Sequence, residues 1–235
     1  DTQVLKYSSF IYNRNTNSLN ARTPGRNIVV DNAGNVGLYS DIALDADGVP
    51  FIAYYDTTNQ RLKIARADND NPQATGEWNI STVDSTTSFY GEYVSAAVDG
   101  TGTVHISSYR NSTGDLLYFT APHVASPGAY TFTRTTVDSP DAVGPWSETT
   151  PVGTTPYISY INESQAGTFY GLKYAYWTGS EWETGTVPVQ VPVESERTGI
   201  AAKPSGAALG ATEDYVVSVG YGAGSYYFAR LRPEQ

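Results

Sequence analysis

The stretch FIAYYDTTNQRLKIAR at residues 51–66 decides the fold, because near copies of it recur along the chain. The other copies are FIYNRNTNSLNAR at 10–22, ISSYRNSTGDLLYFT at 106–120, ISYINESQAGTFYGLKYAYW at 158–177 and a degenerate DYVVSVGYGAG at 214–224. Each copy has an apolar and aromatic run, a polar turn and a second such run, which is the pattern of a β-hairpin. The chain is therefore built from a repeated β-unit.

The segments that flank each hairpin supply two further strands. In the second unit the four predicted strands lie at 39–46, 50–56, 61–67 and 78–84, with turns rich in Asp, Gly, Pro and Asn between them. Units of about 40–50 residues with four strands each are typical of propeller blades. We predict an all-β fold, a single β-propeller domain over 1–235 with about five four-stranded blades. The units are approximately 1–36, 37–90, 91–143, 144–196 and 197–235.

The first and last blades are predicted to be incomplete. In the first unit the predicted strands, at 5–13, 18–23 and 26–32, take the second, third and fourth places and leave no room for a first. The last unit, from 198 to 231, supplies the first three strands and no fourth. Exposed strand edges are templates for pairing. A partner chain, a homo-oligomer or a further segment of a larger ring would complete these blades.

Composition narrows the classes of partner. The 235 residues carry 14 Lys and Arg against 24 Asp and Glu, a net charge of −10, which disfavours nucleic acid and anionic membranes. The absence of Cys excludes disulfides, a thiol nucleophile and thiolate metal ligands. No apolar run approaches the ~20 residues that a membrane span needs. Because the sequence opens on Asp1 rather than Met, we expect a mature or trimmed product.

The pattern G-x-Y-x-D-I-A-L-D-x-x-G-x-P-x-I-A-Y-Y-D…L-K-x-A at 37–65 resembles the repeats of secreted bacterial β-propeller proteins. These are loosely related to sialidase-type and lectin-type propellers, and the resemblance covers about residues 5–231. It implies a propeller fold and a secreted, extracellular location. It leaves the function open, because propellers host lectins, glycosidases, lyases and scaffolds. The S-x-D-x-G-x-T-W box of sialidase propellers is not present in intact form, so a sialidase assignment does not follow.

A column led by glycine predicts a ligand site where the first strands begin. Gly37, Gly91 and Gly144 are followed two residues later by Tyr39, Tyr93 and Trp146, and four residues later by Asp41, Ser95 and Glu148. The first strand of a blade lines the central channel, so we predict ligand binding by Tyr39, Tyr93, Trp146, Asp41 and Glu148. Aromatic rings stack on sugar rings, and carboxylates accept hydrogen bonds from sugar hydroxyls. The alternative is that the aromatic side chains only pack between neighbouring blades.

Three carboxylates of this region, Asp41, Glu92 and Glu148, are candidates for glycosidase chemistry. Hydrolysis of a glycosidic bond uses two carboxyl groups about 5–9.5 Å apart, one protonated and one ionised. No compact acid motif accompanies the three residues, so solvated acids in a loop are the default interpretation and no catalytic residue is assigned. The sequence also contains no G-x-S-x-G motif and no Gly-rich phosphate loop.

Metal chemistry is weakly indicated. We expect His105 to be a half-buried, hydrogen-bonded strand residue and His123 an exposed loop residue, and their spacing does not suit zinc. DADG at 45–48, DNDN at 68–71 and DGTG at 99–102 offer oxygen ligands, so bound calcium is one interpretation of these runs. Asx-type turns explain the same three runs without an ion. No residue is assigned as a metal ligand, and no cofactor other than calcium is considered.

Three functions are compatible with these features. The leading hypothesis is an extracellular, non-enzymatic, lectin-like propeller that binds a glycan or a protein partner through its loop face or channel mouth. The second is a carbohydrate-active enzyme, a glycoside hydrolase or polysaccharide lyase that uses the channel carboxylates. The third is a structural subunit of an extracellular assembly whose open end blades join a neighbour.

Overall fold

The computed structural model describes residues 3–21, 27–85, 89–139, 142–164, 169–192, 197–202, 216–222 and 225–231. In these ranges the regular structure is antiparallel β-sheet, and the one helix among them is a 3-10 turn at Thr75–Glu77. The all-β prediction is confirmed. Across the same ranges, the chain contains no helix with the length and apolar character needed to cross a membrane.

The N-terminal part of the chain forms two separate pairs of strands. β1 (Leu5–Tyr7) pairs with β4 (Ile28–Asp31), and between them β2 (Phe10–Asn13) pairs with β3 (Ser18–Ala21) in a hairpin. The predicted single strand at 5–13 is therefore wrong, because its two halves have different partners. The match of FIYNRNTNSLNAR to the other repeats reflects hairpin character alone.

Three complete four-stranded antiparallel sheets follow, each with its strands in chain order. The first sheet contains β5 (Val36–Leu44), β6 (Pro50–Asp56), β7 (Arg61–Ala67) and β8 (Trp78–Thr82). The second contains β9 (Glu92–Val98), β10 (Val104–Arg110), β11 (Asp115–Ala121) and β12 (Thr133–Asp138). The third contains β13 (Glu148–Val152), β14 (Thr155–Asn162), β15 (Phe169–Trp177) and β16 (Trp182–Pro192). A last sheet contains β17 (Arg197–Ala202), β18 (Val216–Gly222) and β19 (Ser225–Leu231).

Consecutive sheets pack on one another, and their first strands adjoin. β5 lies beside β9, β9 beside β13, and β13 beside β17. Phe51 of the first sheet shares a buried core with Val104 and Phe119 of the second. Tyr118 of the second sheet is buried with Ile158 of the third. Adjoining first strands with apolar side chains sandwiched between sheets are the packing expected of propeller blades.

β1 occupies the place of a third strand rather than a second. A Cβ atom at Gly37 would lie 3.2 Å from the Cα atom of Leu5, and one at Gly91 would lie 2.8 Å from the backbone nitrogen of Leu62 in β7. Leu5 therefore stands where Leu62 stands in the next sheet, and the Leu-Lys pair of 5–6 recurs at 62–63. β1 and β4 are thus the third and fourth strands of the first unit.

A repeated polar clamp joins the fourth strand of one sheet to the next sheet. In each copy an aspartate accepts a hydrogen bond of 2.6 Å from a tyrosine hydroxyl and forms an ion pair with a lysine. Burial acts to raise the pKa of the first aspartate, but hydrogen bonds from the lysine, the tyrosine and a backbone N–H outweigh it and lower the pKa. The two copies are Asp31 with Tyr54 and Lys63, and Asp138 with Tyr160 and Lys173.

One face of β5 is largely exposed in the described part of the chain. Leu38, Ile42 and Leu44 are 38%, 51% and 61% exposed. The matching face of β9, with Val94 and Ala96, is buried against the first two strands of the preceding sheet. In the described part of the chain, β1 and β4 have no first and second strand beside them. Among the described residues the first unit therefore lacks a first and a second strand, whereas the prediction was that it lacks the first strand alone.

Candidate functional site

The candidate site lies where β5, β9 and β13 begin. Gly37, Gly91 and Gly144 stand at or just before these points with φ angles of 95°, 114° and 119°, which residues with a Cβ atom rarely adopt. A Cβ atom at Gly144 would also lie 2.9 Å from the Cα atom of Leu116 in β11. Glycine in this column therefore lets each first strand start directly against the third strand of the preceding sheet.

Two residues further on, a large aromatic residue occupies the left-handed region of backbone conformation in all three sheets. Tyr39, Tyr93 and Trp146 have φ angles of 51°, 53° and 56°. In the first and second sheets the pairing register shifts at this point, as in a β-bulge, which re-aims the side chain. A bulky residue in this conformation costs about 1–3 kcal/mol, persists only where its surroundings impose it, and is typical of functional sites.

The three aromatic rings form a continuous row. The ring centroids are 4.6 Å apart for Tyr39 and Tyr93, and 4.4 Å apart for Tyr93 and Trp146. Contacts of this kind stabilise aromatic pairs by about 0.5–1.5 kcal/mol. All three side chains are half-buried, so part of each ring faces solvent. The rings thus pack on one another across the sheets, and they also line an open space.

That space is a cavity of about 340 Å³. Its lining contains all five residues predicted to bind a ligand, namely Tyr39, Asp41, Tyr93, Trp146 and Glu148. Ser40, Val94, Ser147 and Thr198 also line it. The volume lies at the lower end of the ~300–1,000 Å³ typical of small-ligand pockets. The structure brings the five residues together, and their role in ligand binding stays a prediction.

The two carboxyl groups of the cavity have different surroundings. Burial, followed by the negative charge of Asp41, raises the pKa of Glu148 to about 7. None of the described residues donates a hydrogen bond to Glu148. Asp41 accepts two backbone hydrogen bonds of 2.8 Å, from Ile42 and from Ala96 of the neighbouring strand β9. The cavity thus combines a carboxylate that is held in place with a carboxyl group that titrates near neutral pH.

A buried network of hydroxyl groups beneath the cavity was missed by the sequence analysis. Thr149 Oγ1 donates to Ser107 Oγ at 2.7 Å, Ser107 Oγ donates to Ser147 Oγ at 2.9 Å, and Ser147 Oγ donates to the carbonyl oxygen of Tyr93 at 2.9 Å. Ser95 Oγ accepts the backbone N–H of Thr149 at 3.0 Å. A satisfied buried network of this kind fixes the strands that carry the aromatic row. Its signal in the sequence is the run of small hydroxyl residues at alternate strand positions.

Glu92, the third carboxylate considered for glycosidase chemistry, does not reach the cavity. Its carboxylate accepts hydrogen bonds from Asn111 Nδ2 at 3.3 and 3.4 Å. Its backbone is paired with Tyr109 of β10. Of the three carboxylates, Asp41 and Glu148 line the cavity and Glu92 stays outside its lining.

The two histidines lie away from this cavity. His105 is hydrogen-bonded as predicted, with its Nδ1 atom 2.5 Å from Tyr118 Oη, but it is buried rather than half-buried. His123 is partly buried instead of exposed, and its Nε2 atom lies 3.5 Å from a carboxylate oxygen of Asp47.

The Asp-rich turns bind backbone groups. Asp45 Oδ1 accepts the backbone N–H groups of Asp47 and Val49 at 2.9 Å, and Asp99 holds its own turn in the same way. In the third run Asn69 Oδ1 accepts the N–H of Asn71 at 2.9 Å. These are Asx-type turns. Over the ranges that the structure describes, no three His, Cys, Asp or Glu side chains are grouped so as to hold a metal ion.

The architecture is similar to that of solved carbohydrate-active proteins. The Hadza microbial sialidase Hz136 matches with a TM-score of 0.53 and 10% identity, over 88% of this chain and 49% of its own. The alpha-L-arabinofuranosidase from Lactobacillus brevis matches with a TM-score of 0.49 and 11% identity, over 87% and 72%. A mutant of the Aleuria aurantia lectin, in complex with alpha-methyl-L-fucoside, matches with a TM-score of 0.41 and 13% identity, over 83% and 63%. No protein-family model and no curated protein matches the chain.

At 10% identity the similarity to the sialidase shows the fold alone. It agrees with the propeller type of fold that the repeats at 37–65 and elsewhere predict. The chain spans about half the length of the sialidase chain it matches.

Proposed function

We propose that the chain is an extracellular, non-enzymatic β-propeller of about five blades that binds a glycan at the cavity of Tyr39, Tyr93 and Trp146. The observation that carries the proposal is the aromatic row itself. Three bulky residues hold the left-handed conformation at the same place in three successive sheets, and all three line one open cavity. Strain that recurs at one site is maintained where the position of the side chain matters.

The chemistry of the cavity suits a neutral sugar. The open parts of the aromatic rings offer flat apolar faces for the C–H faces of a sugar ring. Asp41 and Glu148 accept hydrogen bonds from sugar hydroxyls, and Glu148 also donates one when it is protonated. Two carboxyl groups in one small cavity repel an anionic ligand. A neutral glycan is therefore favoured over a charged one.

A glycan array followed by calorimetry tests the proposal. Tyr39→Asn is the test variant, because asparagine removes the ring and tolerates the left-handed conformation of residue 39. Tyr12→Asn, on the exposed hairpin of β2 and β3, is the matched control. We expect Tyr39→Asn to weaken binding of the best array glycan at least tenfold, about 1.4 kcal/mol, and the control to bind like the wild type. An array without binding, or equal affinities for both variants, would contradict the proposal.

Glu148 favours a glycoside hydrolase as the second candidate. A carboxyl group with a pKa of about 7 beside a second carboxylate is the arrangement that acid–base catalysis of glycoside hydrolysis uses. In this alternative Glu148 protonates the leaving oxygen, and Asp41, held by its two backbone hydrogen bonds, acts as the second carboxylate.

Release of new reducing ends from a panel of polysaccharides discriminates between the two candidates. A hydrolase loses this release in Glu148→Gln and in Asp41→Asn while its circular dichroism spectrum stays unchanged. Absence of release from every polysaccharide by the wild type would eliminate the hydrolase and leave the binding proposal untouched.

The exposed face of β5 favours a structural role as a third candidate. Leu38, Ile42 and Leu44 lie near an edge of β1 that no other described strand pairs with, where the complete sheets have two further strands. A second copy of the chain that supplies a β-hairpin there would bury this face and satisfy the strand edge.

A further inference from the structure

A second cavity, of about 370 Å³, lies between the second and third sheets, at the opposite end of β9 from the aromatic row. Tyr118 of β11, Trp177 of β15 and Trp182 of β16 form its aromatic wall. His105, at the start of β10, and five threonines line much of the rest. The cavity shares no lining residue with the first one.

The equivalent space between the first and second sheets is filled. There Phe51 pairs across the strands with Arg66, and Arg66 Nε donates to Asp45 at 2.9 Å. The long loop between β11 and β12 brings in Tyr130, whose ring centre lies 4.5 Å from the Arg66 guanidinium and 6.3 Å from the ring of Phe51. In the third sheet the corresponding connection, residues 178–181, is a tight turn without such an insertion. The space between the second and third sheets therefore stays open.

Different residues at the matching strand positions line the open space. His105 stands where Phe51 stands in the first sheet, and it pairs with Thr120, which stands in the place of Arg66. Asp99, which matches Asp45, forms no ion pair with an arginine of the described ranges. Its Oδ1 atom accepts hydrogen bonds from its own turn, as that of Asp45 does, at 2.7, 2.8 and 2.9 Å.

His105 is a buried residue of this lining, and both of its ring nitrogens face other side chains. The residue is 2% exposed, and its Nδ1 atom is bonded to Tyr118 Oη. Its Nε2 atom lies 3.3 Å from Asp99 Oδ2, the carboxylate oxygen that partners it. Burial lowers the pKa of His105 against the opposing effect of Asp99, so the ring is neutral near pH 7. Both ring nitrogens of His105 thus face protein groups, and the threonine side chains of the lining are left to meet a ligand.

We propose that this cavity is a second ligand site, for a neutral, hydroxylated molecule of the size of one sugar ring. The aromatic wall supplies stacking surface, with ring centroids 4.8 Å apart for Tyr118 and Trp182 and 5.7 Å apart for Trp177 and Trp182. The five threonine hydroxyls of the lining supply hydrogen bonds to hydroxyl and ether oxygens. Asp99 is the single acidic residue of the described lining, and its negative charge disfavours an anionic ligand.

Fluorine NMR of the protein labelled with 5-fluorotryptophan tests this site separately from the first. The chain has four tryptophans, so Trp177 and Trp182 report the second cavity while Trp146 reports the first. The probes are the methyl glycosides of glucose, galactose, mannose, xylose and fucose, each titrated to about 50 mM to detect dissociation constants near 1 mM. We expect at least one of them to shift the Trp177 and Trp182 resonances with saturation.

Two variants place the contact in the cavity. His105→Phe copies the residue of the filled space, and Thr154→Arg puts a long side chain on the exposed turn at the rim without touching the core. At least tenfold weaker binding in either folded variant, with Tyr39→Asn unaffected, supports the proposal. Absence of saturable shifts at Trp177 and Trp182, or shifts that survive in both variants, would overturn it. A resonance change confined to Trp146 would do the same while supporting glycan binding at the first cavity.

Discussion

Replacing Glu148 by glutamine should stabilise the protein at alkaline pH and leave its stability at acid pH nearly unchanged. The carboxyl group has an ordinary pKa of 4.5, and burial and Asp41 raise that pKa to about 7 in the folded protein. Between these two pH values the folded state holds the proton more tightly than the unfolded chain. Stability therefore falls as the pH rises from 4.5 to 7, and the loss persists above pH 7. Glutamine has no proton to lose, so the variant escapes this fall.

The size of the effect follows from the two pKa values. A rise from 4.5 to about 7 corresponds to roughly 3 kcal/mol, because each tenfold change in proton affinity is worth about 1.4 kcal/mol. Glu148 faces an open cavity, where water screens part of the unfavourable charge. We therefore expect Glu148→Gln to raise the free energy of unfolding by about 1–2 kcal/mol near pH 8.5 and by less than about 0.5 kcal/mol near pH 4.

Urea unfolding followed by tryptophan fluorescence, at pH values from about 4 to 8.5, measures this difference. Glu181→Gln, in the exposed turn between β15 and β16, is the matched control. If the stabilisation by Glu148→Gln did not grow between pH 4 and pH 8.5, the raised pKa would be wrong. A destabilisation at pH 8.5 would show that the ionised carboxylate has a stabilising partner in the folded protein.

Three further changes test the packing between the sheets. Gly91→Ala should lower the free energy of unfolding by about 2–4 kcal/mol, because the new Cβ atom would lie 2.8 Å from the Leu62 nitrogen at a φ angle of 114°. The control is Gly76→Ala, where the space is open. It should lower the free energy of unfolding by less than about 1 kcal/mol in the same urea titration. Tyr160→Phe should cost about 1–2 kcal/mol, because Asp138 loses a hydrogen bond of 2.6 Å, and unchanged stability would show that this clamp does not hold the sheets together. The double variant Ile42→Lys, Leu44→Lys should reduce self-association measured by light scattering, because it places charges on the exposed face of β5. A wild-type protein that stays monomeric at about 100 µM would contradict the proposal that this face binds a second copy.

The sequence predicted the first cavity because the repeat fixes the strand register. Once Gly37, Gly91 and Gly144 are aligned, the residues two and four places later must share a position in the fold. Propensity did not predict the left-handed conformation of the aromatic residues, since large side chains disfavour it and only tertiary packing imposes it. The raised pKa of Glu148 could not be predicted from the sequence either, because it depends on burial and on the approach of Asp41 from another sheet.

The N-terminal strands were assigned wrongly for a local reason. Phe10–Asn13 and Ser18–Ala21 form a true hairpin, so their hairpin pattern could not show that they lie between the third and fourth strands of a unit. The Leu-Lys pair of 5–6, which recurs at 62–63, was the signal that gives the correct alignment. The second cavity was missed because it depends on the length of a connection, long at 122–132 and short at 178–181, and no residue pattern marks it.

Equivalent positions in a repeat share a backbone environment. A residue that makes different contacts from the equivalent residues of the other repeats therefore indicates a functional position. In the column of Asp41, Ser95 and Glu148, the first two side chains each accept a backbone N–H from the first strand of the following sheet. Glu148 takes no such bond from the described residues of β17, and it faces the cavity instead. His105 also departs from its column, because it places a polar ring, held by Tyr118 and Asp99, where the first sheet has the apolar Phe51. Each of these two residues places a buried polar group where the equivalent residue is better packed or better paired, which lowers the stability of the fold. Both residues line a cavity between sheets that is open to a ligand.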